Sequence, residues 1–108
     1  MSYELYLKDK DGVCQSEVIR SEGGTFVVEG TKKCNLNITW NYSKVFYMTI
    51  LDGKIAGDCI DWLREIVKIL GIERDEDYWK PTHGNVGYAL SIILEWCKEF
   101  PEANITIY

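Results

Sequence analysis

One histidine, two prolines, no Cys-x-x-Cys pair and no apolar run near the length of a membrane span mark this 108-residue sequence. Each shortage closes a class. A lone histidine and cysteines without ligand spacing argue against a zinc site. The cysteines, Cys14, Cys34, Cys59 and Cys97, are scattered, and no apolar run follows Met1 to act as an export signal. They are therefore expected as reduced, mostly buried thiols in a cytoplasmic protein rather than as two disulfides. Basic charge is also short. Twelve Lys and Arg against 17 Asp and Glu give a net charge of −5, which disfavours a nonspecific nucleic-acid binder. No G-x-S-x-G or comparable nucleophile motif occurs, and His83 is the only histidine for acid–base work. No catalytic residue, metal or cofactor is expected, and the chain is not read as an enzyme.

What is present suits a single domain spanning 1–108. A chain of this size buries roughly 60–70% of its unfolded surface, and a hydrophobic content of 46% excludes a disordered chain. Tyr3, Leu5 and Leu7 alternate with Glu4, Tyr6 and Lys8, the pattern of a strand with one buried face. Asp11-Gly12 supplies a hairpin turn, with residues 13–19 returning antiparallel. Gly23-Gly24 punctuates the next connection, and 25–29 is a short strand rich in β-formers, closed by Gly30. Over 34–42 the period is two: Leu36, Ile38 and Trp40 face one way, and Asn35, Asn37, Thr39 and Asn41 the other. Such an asparagine row is either a wet face or a line of amides in a pocket. Residues 43–51 lie between strand and short helix and lean to helix.

Two helices are firmer. Over 54–70, Ile55, Ala56, Cys59, Trp62, Leu63, Ile66, Val67 and Leu70 recur at helical spacing, and Gly71 stands where a left-handed cap is expected. The acidic run 73–77 reads as a solvated connector. From 79 to 100 the chain holds Trp79-Lys80-Pro81-Thr82-His83-Gly84-Asn85 and then an apolar face of Val86, Ala89, Leu90, Ile93, Leu94, Cys97 and Phe100, ended by Pro101. Thr82 or Asn85 can cap this helix. Gly84 and Gly87 let another group approach its backbone, and the free amides beside Lys80 suit an anion. Residues 103–108 alternate again as a final strand. The expected architecture is α+β: an antiparallel β-sheet of N-terminal strands plus the C-terminal strand, with two long α-helices packed on one face.

The segments Tyr3-Glu4-Leu5-Tyr6-Leu7, Gly23-Gly24-Thr25, Asn37-Ile38-Thr39-Trp40-Asn41-Tyr42-Ser43, Phe46-Tyr47, Asp77-Tyr78-Trp79-Lys80-Pro81-Thr82 and Gly84-Asn85, with Ala89-Leu90 and Pro101, span nearly the whole chain. On these residues it resembles a widespread uncharacterised family of small proteins from phages, prophages and related mobile elements. Members of that family carry a longer segment after the Phe46-Tyr47 equivalent; here 48–52 is short. The resemblance implies a mobile-element context, in which small proteins counter host defence from within the host cytoplasm.

Two modes of action are open. In the first, the Asn-bearing strand and the Trp-Lys-Pro-Thr loop meet as a concave receptor that sequesters a nucleotide-derived immune signal. Asn37, Asn41, Tyr42, Tyr47, Trp79, Lys80, Thr82 and Asn85 would form the polar-aromatic pocket. Rings would stack a base, amides would read its edges, and Lys80 with the helix start would hold phosphate. In the second, the protein is an anti-CRISPR-like inhibitor that binds a host defence protein by surface contact, through exposed aromatics. No membrane partner is expected. An exposed sheet edge can pair two copies into a homo-oligomer.

Overall fold

The computed structural model describes residues 1–20 and 31–108. Its centre is β1 (Ser2–Asp9), which pairs antiparallel with β5 (Asn35–Thr39) on one side and β6 (Asn104–Ile107) on the other. The registers Leu5↔Leu36 and Leu7↔Ile105 bring apolar side chains onto one face, where all four are fully buried. The opposite face is polar. There the Asn35 and Asn37 amides donate to the Glu4 carboxylate at 2.9 and 2.8 Å, and the Lys8 ammonium donates to the Tyr108 hydroxyl at 2.8 Å. The strand expected over 25–29 lies outside the described residues.

The first hairpin is shorter than its sequence suggests. Gly12, at φ 110°, turns the chain, and β2 (Gly12–Val13) pairs with β1. At Cys14 the return breaks: its N–H donates to the Leu7 carbonyl and its own carbonyl accepts from Cys34 N–H, both at 2.9 Å. Beyond this junction β3 (Gln15–Arg20) leaves the sheet and pairs with β4 (Thr31–Lys33) as a separate ribbon. The ribbon is held to the helices through Glu99, which accepts from the Ser16 hydroxyl at 3.0 Å and from Glu17 N–H at 3.1 Å.

Two α-helices complete the α+β fold and its core: α1 (Ile60–Leu70) and α2 (His83–Glu99). α2 is buried almost all round, with ten of its residues inside, Val86, Ile92, Ile93 and Trp96 among them. It is therefore a core helix rather than the one-sided helix its spacing suggests. α1 packs along it and is the more strictly two-sided helix; Leu63 is its one fully enclosed side chain among the described residues. The helical run expected from residue 54 begins as a single 3-10 turn, Ala56–Cys59, and two more such turns, Trp40–Lys44 and Met48–Leu51, account for the helix-leaning segment before it. Gly71 (φ 78°) ends α1, and its N–H donates to the Val67 carbonyl at 2.8 Å. No helix among the described residues is long and apolar enough to cross a membrane.

Candidate functional site

The strand read over 34–42 stops at Thr39. Its hydroxyl accepts from Asn41 N–H at 3.3 Å and starts a helical turn, as a threonine N-cap does. That turn reverses two expectations. Trp40, expected beside Leu36 and Ile38 on the buried face, is 46% exposed, and Tyr42 turns fully inside. Thr39, expected on the polar face, is buried. Asn41 leaves the plane of the strand, so the asparagines do not form one row.

The turn nevertheless brings Asn41 and Tyr42 to the Trp-Lys-Pro-Thr loop, 36 to 38 residues away in sequence. The Asn41 amide donates to the Trp79 carbonyl at 3.1 Å, and the Tyr42 hydroxyl donates to the Tyr78 carbonyl at 2.6 Å. Burial chiefly, and then the Asp77 carboxylate, push the Tyr42 phenol well above its ordinary range, so it stays a protonated donor; Arg74 pulls weakly the other way.

Asn85 locks the loop from the other side. It is fully buried, accepts from Asp75 N–H at 2.8 Å, and donates to the Asp77 and Lys80 carbonyls at 3.1 and 2.9 Å. Its side chain therefore uses all its amide hydrogens and its oxygen on the loop backbone. Thr82, one of the two candidate caps, is the N-cap of α2 and accepts from Asn85 N–H at 3.0 Å. Asp75 and Asp77 each accept from the N–H two residues on, at 2.9 and 3.0 Å. The group that approaches Gly84 and Gly87 is the chain itself. A methyl on Gly84 would overlap the Glu73 carbonyl, and one on Gly87 the Gly71 carbonyl.

The eight predicted site residues thus separate. Asn41, Tyr42, Trp79, Lys80, Thr82 and Asn85 come together in one clasp. Asn37 belongs to the polar sheet face, donating to the Ser2 hydroxyl at 2.9 Å and to Glu4. Tyr47 precedes the Met48–Leu51 turn without a side-chain capping bond and is 69% exposed. Within the clasp, Tyr42 and Asn85 are enclosed, while the Trp79 ring and the Lys80 ammonium face outward, the latter 3.8 Å from Asp75. A groove of about 430 Å³ runs beside the clasp between the connector and α2, touching Arg74, Asp75, Thr82 and Gly84.

Sequence patterning did not single out Tyr3 or Tyr78, and it did not foresee that Trp40 would be half exposed. The Trp40 ring lies 5.8 Å from Tyr3, whose hydroxyl is 3.3 Å from that of Ser43. The Trp79 ring lies 5.1 Å from Tyr78. Asn41, next to Trp40 in the chain, bonds the Trp79 backbone, so one hydrogen bond links the segments that carry the two aromatic pairs. The signal for Trp40 was present in Thr39, a capping residue placed just before it. The four cysteines are buried and unpaired. Burial pushes Cys34 and Cys97 up to about 12 and, with the Asp9 carboxylate second, Cys14 to about 11. They remain neutral thiols at physiological pH. Compared with known proteins, the chain matches no family model, no curated protein and no solved structure.

Proposed function

We propose that this protein acts by binding, as a mobile-element counter-defence protein that grips a host defence protein through the rim of Tyr3, Trp40, Tyr78 and Trp79. One observation carries the choice of a surface over an enclosed receptor. The polar atoms that would have read a ligand, those of Tyr42 and Asn85, are spent on the loop's own backbone, whereas both rim tryptophans are 46% exposed. Half-exposed tryptophans backed by tyrosines and held by a hydrogen-bonded loop have the composition of binding hot spots. They are pre-ordered, so little conformational entropy is lost on docking. The defence context rests on the resemblance to mobile-element proteins.

A smaller reading persists at Trp79 and Lys80. The ring and the adjacent ammonium, the latter's side chain 60% exposed, offer a stack and a cation to a nucleotide-derived signal. One set of variants separates the two. Trp40→Ala and Trp79→Ala are each expected to leave the fold intact and to weaken capture of a host protein by about 10-fold or more. Calorimetry against cyclic and ADP-ribose-type nucleotides should give no heat at micromolar concentration. Heat that vanishes in Lys80→Ala but survives in Trp40→Ala would overturn the surface reading in favour of the sponge.

A further inference from the structure

Away from the rim, α1 carries a second apolar stripe that the described residues leave partly open. Successive helical residues turn by about 100°, so Trp62, Ile66 and Ile69 fall within an arc of about 60° on one flank. Ile66, at the edge of the arc nearest Leu63, is half-buried against the core, so the stripe borders the buried face and opens toward Trp62 and Ile69. Ile69 is 78% exposed and Trp62 is 37% exposed. The stripe continues into a groove of about 590 Å³ lined by Ile50, Lys54, Ile55, Asp58 and Trp62, where Ile50 and Ile55 are also exposed. Phe46 supports the Trp62 ring at 5.8 Å. Sequence periodicity assigned Ile55 and Trp62 to the buried face, so their exposure is a feature of the fold and not an expected one.

We propose that this face is the docking site for a second copy of the same chain, with the two α1 helices antiparallel across a twofold axis near Ile66. Two observations favour a second copy. The stripe is self-complementary: reversal about its midpoint sets Trp62 of each copy near Ile69 of the other, large ring against exposed aliphatic chain. The charges beside it are also self-complementary. Asp61 and Arg64 pair with each other at 2.9 Å, but Glu65 and Lys68, on the solvent side of the stripe, make no ion pair among the described residues. An antiparallel partner brings Lys68 of one copy to Glu65 of the other, twice by symmetry. The sheet edge is not the route on the β6 side. Residues 53–55 cover it, with Gly53 N–H donating to the Ile105 carbonyl at 2.8 Å and Ile105 N–H to the Lys54 carbonyl at 2.9 Å. A contact confined to one helix flank and its groove is of the weak, transient class, for which a dissociation constant of about 10–100 µM is the expectation under test. Each dimer would present two aromatic rims.

Sedimentation equilibrium of the full chain from roughly 5 to 300 µM spans that range. The expected result is a monomer–dimer equilibrium that Ile69→Glu shifts by at least about 10-fold toward monomer, with an unchanged circular dichroism spectrum because the side chain is already exposed. Glu65→Lys and Lys68→Glu alone should each weaken dimerisation roughly 3- to 10-fold, and the two together should restore it. A monomer throughout the range, or a dimer indifferent to Ile69→Glu, overturns the proposal. A double charge swap no tighter than the single variants overturns the antiparallel register.

Discussion

Asn85 offers the sharpest test of the clasp, because a ligand-reading residue and a loop-tying residue fail differently. In Asn85→Ala the Asp75 N–H loses its acceptor, and the Asp77 and Lys80 carbonyls each lose a donor. The carbonyls keep other donors, Lys80 N–H at 3.2 Å for the first and Thr82 N–H at 2.8 Å for the second. The amide is the group left alone. At about 1 kcal/mol per bond, with the orphaned N–H at the upper end, the loss comes to about 2–4 kcal/mol. That is a large share of the roughly 5–15 kcal/mol typical of a domain. Asn85→Asp retains the acceptor for Asp75 but turns a carboxylate oxygen toward two carbonyls. It is expected to be at least as unstable as the alanine variant at pH 7. To donate there it must take up a proton, so its folded pKa lies above the unfolded value of about 3.9. The folded state then binds the extra proton, and the deficit relative to Asn85→Ala shrinks as pH falls through the folded pKa toward about 4. Urea unfolding followed by tryptophan fluorescence measures both quantities. An alanine variant within about 0.5 kcal/mol of the parent, or an aspartate variant as stable as the parent at pH 7, would refute the clasp. A residue that only read ligand would show that pattern.

The other expected outcomes are simpler. Gly84→Ala and Gly87→Ala add good helix formers to α2, which alone would stabilise by about 1 kcal/mol each. Because the methyl overlaps connector backbone, both should instead destabilise by about 1–3 kcal/mol, and a stabilised variant would show that the connector is not packed there. Thr82→Ala should cost about 1 kcal/mol in the same assay, through loss of the cap on α2, and a neutral result would mean that the Thr82 cap does not stabilise the helix. Stability should hold steady with respect to the thiols up to pH 9. Above it, unfolded-state cysteines ionise at their ordinary 9.0 while Cys34 and Cys97 stay protonated to about 12. Folded protein then holds more protons, and stability falls by about 1.4 kcal/mol per pH unit per thiol. The loss should be shallower in Cys34→Ala, measured relative to its own neutral-pH value.

The parts of the fold legible from sequence are those where one period dominates. β1 shows its alternation because Leu5 and Leu7 face a core while Tyr6 and Lys8 face solvent, and the cap pair Thr82 and Gly71 marks helix ends by chemistry that needs no tertiary context. What stayed hidden depends on partners. The exit of β3 from the sheet is set at the Cys14–Leu7–Cys34 junction, a backbone arrangement that carries no side-chain signature. Trp40 fits the strand period of Leu36 and Ile38, yet the strand ends where the Thr39 hydroxyl turns onto Asn41, and Trp40 is left half exposed against Tyr3. Trp62 fits the period of Leu63 and Leu70, yet among the described residues it meets Phe46 at the edge of the core and stays 37% exposed. That the Asn41 amide points at the Trp79 carbonyl is likewise beyond the reach of spacing.

The density of Asn, Asp, Thr and Tyr around the loop has a physical origin that precedes any ligand. Residues 71–82 contain neither helix nor strand, yet they pass over the start of a core helix, where Gly84 and Gly87 admit their backbone closely. Backbone N–H and C=O groups taken from water without a ladder must find side-chain partners. Asp75 and Asp77 supply them from within the stretch, Asn85 from the first turn of α2, and Asn41 and Tyr42 from across the fold. Each polar group committed in this way is unavailable to a small molecule, and each also stiffens the segment that carries Trp79. The residues that suggest a pocket in the sequence thus make a rigid mount in the fold. What the mount presents to solvent is the half-exposed ring of Trp79.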